Sequence, residues 1–155
     1  MRLTTVLLSL ACVLGVATAM PFLPPPANAT VVECGDDTDL LKIDYVNLDP
    51  NPPQKGQVLN IDAKAFLKEN VVEGAKIFLT VKVGVIKLLT KELDFCEESV
   101  KVDKPCPLLA GEQTLKHSVE LPKEIPPGKY LVNVKVKNPD EKQVTCLVAT
   151  AVFTL

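Results

Sequence analysis

Arginine is almost missing from this chain: Arg2 is its one example, and it lies ahead of the first apolar run. A folded part without the guanidinium fork, which clamps phosphates in pairs and reads guanine edges, is not built for nucleic acid. Tryptophan is absent too. That disfavours an antibody-type domain, which packs a Trp on its inter-sheet disulfide. Histidine occurs once, as His117, and past the leader serine occurs only as Ser99 and Ser118. Neither serine sits in a glycine-flanked elbow of the kind that exposes a nucleophile. One His and bridged cysteines cannot assemble a zinc site. A glycine-rich phosphate loop is lacking, and the acidic run Asp36-Asp37-Thr38-Asp39 lacks the obligatory glycine of a calcium loop. His117 reads as a packed or hydrogen-bonded core histidine, so no enzymatic activity, cofactor or metal is expected.

What is present points to export. Residues 1–19 combine Arg2, the apolar run Leu3 to Val16 and the small-residue site Ala17-Thr18-Ala19, the pattern of a signal peptide. The apolar run is shorter than the ~18 residues a membrane span needs. Residues 20–30 hold Pro21-Phe22-Leu23-Pro24-Pro25-Pro26, an extended lead-in or pro-segment. Asn28-Ala29-Thr30 in that stretch is a glycosylation acceptor pattern, which makes Asn28 a candidate site. Beyond residue 19 the chain carries 16 lysines against 19 acidic residues, a net charge of −3. Four cysteines remain there: Cys34, Cys96, Cys106 and Cys146. An even set after an export signal reads as a disulfide framework, for which three pairings exist.

Residues 31–155 read as one domain of about seven strands. Leu41, Ile43 and Tyr45 alternate with Lys42 and Asp44. Leu59, Ile61, Ala63, Ala65 and Leu67 alternate over nine positions, which favours strand although Ala63 to Asn70 also has helix formers. Ala75 to Val83 is a strand with apolar odd positions, bending at Gly84 into Val85-Ile86-Lys87-Leu88-Leu89 and ending in the loop between Cys96 and Cys106. Leu115 to Leu121 and Tyr130 to Val136 alternate again. Val144 to Leu155, apolar on both faces, is expected to be central. The pattern is that of an all-β antiparallel sandwich in two sheets.

The inward positions are small or medium: Ala63, Ala65, Val81, Val83, Val132, Val134, Ala149 and Ala151. If the sheets splay, such side chains leave a dry cavity for an apolar ligand; if they interdigitate, they make an ordinary core. An acyl chain of about a dozen methylenes gains on the order of 10 kcal/mol on entering such a cavity. A hollow sandwich gains from staples. The pairing expected is nested: Cys34 with Cys146, tying the first strand to the last, and Cys96 with Cys106, closing a short loop.

Several segments taken together resemble a known family. Cys34-Gly35, the run Val83-Gly84-Val85-Ile86, the Cys96…Cys106-Pro107-Leu108 loop, Gly128-Lys129-Tyr130 and the late Cys146 are similar to the ML lipid-recognition domain. That group includes the lysosomal cholesterol carrier of Niemann-Pick disease type C and, closer to this proline-rich lead-in, fungal phosphatidylglycerol/phosphatidylinositol transfer proteins. The resemblance implies an immunoglobulin-like sandwich with a lipid cavity between its sheets. It places lipid-binding positions at Val83, Ile86, Leu88, Ile125, Pro126, Val132, Val134 and Leu147. Where animal carriers have aromatic lining residues this chain has Leu88, Ile125, Val134 and Leu147, which leaves room for phospholipid tails as well as sterol. Tails are expected to enter between Ile86–Leu88 and Ile125–Pro126, with Lys87 and Lys123 as surface lysines near the head group. The expected partners are a phospholipid or sterol and, transiently, a membrane surface. The protein is expected to be a monomer that is secreted or held in a vacuolar or lysosomal lumen. The competing reading is a non-catalytic secreted recognition module with a solid core, binding protein or glycan.

Overall fold

The computed structural model describes residues 27–155. The signal-peptide reading of 1–19 and most of the proline-rich lead-in fall outside the described residues. Eight strands and one short helix follow in order. They are β1 (Thr30–Glu33), β2 (Leu41–Asp49), β3 (Val58–Leu67), β4 (Lys76–Val83), β5 (Ile86–Asp94), α1 (Phe95–Val100), β6 (Gly111–Glu120), β7 (Gly128–Lys137) and β8 (Gln143–Phe153). They form a five-stranded sheet, β1-β8-β7-β4-β5, and a three-stranded sheet, β2-β3-β6, with every pair antiparallel. The all-β sandwich expected from the alternation is what forms. Residues 58–67 are strand, and β8, apolar on both faces, is paired on both sides by β1 and β7.

Three local departures decide which side chains face inward. β2 carries a bulge: Ile43 pairs with Ala65 and Tyr45 with Lys64, leaving Asp44 as the extra residue. A bulge reverses the alternation beyond it. Tyr45, expected inward, is therefore on the outer face, while Val46 and Leu48 turn in. Second, the strand expected to bend at Gly84 reverses instead. Gly84 at φ 55° and Val85 make a two-residue turn, and Val83 pairs with Ile86. A glycine with positive φ at the first turn position suits the twist of such a hairpin. This adds β5, the eighth strand. Third, the segment between β5 and Cys106 opens with helix α1 rather than being loop throughout, with Asp94 as N-cap.

The well-packed core is confined to one end of the sandwich. Leu40, Leu67, Val71, Ala75, Val136 and Val144 are buried together there, with Leu41, Ile77, Phe95, Leu108 and Val134 against them. Both disulfides of the nested pairing form: Cys34 with Cys146, 112 residues apart, and Cys96 with Cys106, 10 apart.

Candidate functional site

Beyond that core the two sheets do not meet. A cavity of about 820 Å³ lies between them, inside the ~300–1,000 Å³ range of small-molecule sites. The three-stranded sheet contributes Leu41, Ile43, Val46 and Leu48 from β2, Leu59, Ile61, Ala63 and Ala65 from β3, and Leu115 and His117 from β6. The five-stranded sheet contributes Tyr130 and Val132 from β7 and Leu147, Ala149, Ala151 and Phe153 from β8. On both sheets these are the inward positions of alternating strands, so period two fixes the wall, together with the bulge at Asp44 that brings Val46 and Leu48 inward. Most of them are only half-buried although they point to the interior. That is the signature of side chains facing a void, because in a filled sandwich they would touch the opposite sheet.

The two ends of the cavity differ. At one, Tyr130 and Phe153 meet edge to face, ring centroids 5.4 Å apart, and the Tyr130 hydroxyl donates to the Pro126 carbonyl at 3.0 Å. Leu48, Pro53 and Leu121 complete that apolar end. At the other, α1 and its following loop supply Phe95, Glu98, Ser99, Lys101, Val102 and Lys104. Asp94 sets this segment: its carboxylate accepts from the Cys96 and Glu97 amides at 2.9 and 3.2 Å. Those bonds, first that from Glu97, and the Lys76 ammonium at 3.5 Å hold the Asp94 carboxyl below its ordinary value. The Cys96–Cys106 disulfide then ties the start of α1 to the end of the loop.

Of the positions anticipated for lipid contact, Val132 and Leu147 lie on the cavity wall. Val134 packs on the buried core instead. Val83 is at the end of β4, where its Cγ1 closely covers Gly128. Ile86 and Leu88 are 63% and 57% exposed on β5, a sheet-edge strand, and are not on the wall. Leu88 is the unpaired residue of a bulge between Lys87 and Leu89. Ile125 and Pro126 lie in the turn before β7, outside the wall, and touch it only through the Pro126–Tyr130 hydrogen bond. Asn28 is exposed, next to Ala29, whose main chain makes two hydrogen bonds with the Asn51 side chain. His117, paired with Ile61 through the β3–β6 ladder, faces the cavity, and its side chain makes no hydrogen bond with any described residue. The β2 residues, Phe153 and the α1 loop were not anticipated. For α1 a signal existed: Asp94 followed three residues later by Glu97 is a capping pattern.

No cluster of three or more His, Cys, Asp or Glu able to hold a metal ion occurs among the described residues. What the site offers is a largely apolar volume between the sheets.

Comparison with known proteins agrees with this geometry. The family model described as the ML domain matches residues 28–153. A phosphatidylglycerol/phosphatidylinositol transfer protein of Yarrowia lipolytica is 43% identical over 129 residues, covering 83% of this chain and 68% of that protein. The protein of the same name in Neurospora crassa is 47% identical over 115 residues, 74% of this chain and 65% of that protein. The chain thus spans about two thirds of the length of these relatives. Among solved structures, chicken MD-1 complexed with lipid IVa superposes with a TM-score of 0.62 at 18% identity, over 84% of this chain and 99% of that one. A Niemann-Pick type C2 protein from Japanese carpenter ant gives 0.60 at 13%, over 81% and 99%. At such identities the two structures speak to the fold alone.

Proposed function

The chain belongs to the ML domain family, and from that premise we propose that it is a lipid carrier, transferring phosphatidylglycerol, phosphatidylinositol or a related lipid between membranes. The observation that carries this reading is the 820 Å³ cavity between the sheets, with the half-burial of the apolar side chains around it. Withdrawing about a dozen methylenes from water into such a space is worth on the order of 10 kcal/mol. That holds a lipid without covalent chemistry, and the protein acts as a non-catalytic monomer. Val132 and Leu147 from the anticipated set, with the inward face of β2 and β3, are the positions we assign to tail contact. Sterol remains within the same chemistry, since the wall asks only for an apolar body of fitting shape.

Exchange needs a passing contact with a bilayer. Apolar side chains stand exposed at two places that suit it: Val85, Ile86 and Leu88 at the β4–β5 hairpin, and Val100 and Leu109 beside α1. The two disulfides fit an oxidising compartment, outside the cell or in a vacuolar or lysosomal lumen.

The test is transfer of a pyrene-acyl phosphatidylglycerol from donor vesicles to unlabelled acceptors. The protein at catalytic ratio should accelerate exchange at least tenfold over the spontaneous rate. Exchange no faster than the blank, with no binding of labelled phospholipid or sterol, contradicts the proposal.

A further inference from the structure

Apart from Lys64, whose side chain shares the outer face with Tyr45, the charged residues that line the cavity among the described residues all come from α1 and its following loop: Glu98, Lys101 and Lys104. The opposite end, at Tyr130 and Phe153, has none. At the α1 end one of the two lysines already has a partner, Lys101 with Glu98 at 2.8 Å. Lys104 makes no ion pair or side-chain hydrogen bond with any described residue, although it is half-buried and lines an apolar cavity. Its position is held. The Lys104 amide donates to the Ser99 carbonyl at 2.9 Å, the Ser99 hydroxyl donates to the Cys96 carbonyl at 3.1 Å, and the Cys96–Cys106 disulfide encloses the whole loop. Asp103, between the two loop lysines, is exposed and does not line the cavity.

A half-buried lysine without a counterion among the described residues, on a loop whose backbone is held where an apolar cavity ends, suits an anion attached to an apolar body. We propose that a phosphate-bearing lipid sits with its phosphate on Lys104, Lys101 swinging from Glu98 to assist, and its acyl chains directed toward Tyr130 and Phe153. The site thus rests on the carrier reading and adds to it a head-group position and a single orientation. The reverse orientation would bring the phosphate against two aromatic rings and strand the Lys104 charge. Val100 and Leu109, exposed on either side of these lysines, make this the rim that meets the bilayer.

The orientation is readable from the protein's own fluorescence. The chain has no Trp and two tyrosines, of which Tyr45 is on the outer face and Tyr130 on the cavity wall. In Tyr45→Phe protein, phosphatidylglycerol brominated near the chain terminus should quench Tyr130 at least twofold more than the same lipid brominated near the carboxyl end. The opposite ranking overturns the orientation. Independently, Lys101→Met/Lys104→Met should weaken binding of pyrene-acyl phosphatidylglycerol about tenfold and leave pyrene-acyl diacylglycerol within twofold. Lys104→Arg should restore the first, and Lys82→Met/Lys87→Met at the hairpin should change neither. Equal losses for both lipids, or a loss only in the hairpin variant, overturn the assignment. Inorganic phosphate should displace no phosphatidylglycerol; displacement at millimolar phosphate would make this a free-phosphate site and also overturn it. Wild-type protein that binds neither probe defeats the carrier reading, whereas wild-type binding that no variant alters defeats this site alone.

Discussion

Asp94 links one carboxylate to the shape of the cavity end. Its folded-state pKa is held low, first by the Glu97 amide, then by the Cys96 amide and Lys76. A depressed carboxylate contributes fully above its unfolded value, about 3.9 for Asp, and loses that contribution as pH falls through the lower folded value. We therefore expect hydrogen-exchange protection of the Cys96 and Glu97 amides to persist to pH 4 and to fall below it, ahead of the sheet amides. Asp94→Asn, which keeps a capping oxygen without the titration, should remove that pH dependence. Gly128 gives a second residue-scale prediction. Its φ is 152° and a Cβ there would come within 2.8 Å of Val83 Cγ1. Gly128→Ala should cost about 1–3 kcal/mol in urea unfolding. At this scale the sequence was legible wherever strict alternation held, as for Val132, Ala149 and Ala151. It failed at Tyr45, because one extra backbone residue at Asp44 flips the strand and leaves no mark in the alternation read up to that point.

At the scale of elements, turns and short helices were the weak point. A glycine in an apolar run signals a break but not whether the strand bends or reverses, so Gly84 hid a hairpin and the edge strand β5. That reversal is what carries Ile86 and Leu88 off the cavity wall. Helix α1, at 6 residues, is too short for an apolar periodicity to show, and only its cap gave it away. The cysteines were clearer, since first-to-last and short-loop pairings follow the strand order. Cys34–Cys146 anchors the four-residue β1 to β8, with the Cys34 amide on the Cys146 carbonyl at 2.8 Å. Replacing both cysteines by Ala should lower stability by about 4–5 kcal/mol by loop-closure entropy, more than the ~2–3 kcal/mol expected for Cys96–Cys106. Thermal unfolding of the two double variants ranks them; the reverse order would refute this account of the staples.

For the whole molecule, alternation told which side chains face inward but not whether two inward faces touch. Small inward residues such as Ala63 and Ala149 serve a packed core and a hollow one equally, and sheet separation is a property of both sheets together. The packed end, around Leu67 and Val71, and the hollow end coexist in one domain. If the void is functional, filling it should separate stability from binding. Ala63→Phe/Ala149→Phe should keep the β-sheet circular-dichroism spectrum, leave Tm unchanged or higher, and reduce phospholipid binding at least tenfold. Native mass spectrometry of the protein purified from its own host without detergent reads the contents of the cavity directly. The bound mass should equal one phospholipid or sterol, be released on collisional activation and be reduced in the Ala63→Phe/Ala149→Phe variant. A wild-type protein that carries the bare polypeptide mass alone, and takes up no lipid when offered vesicles, would contradict the carrier reading.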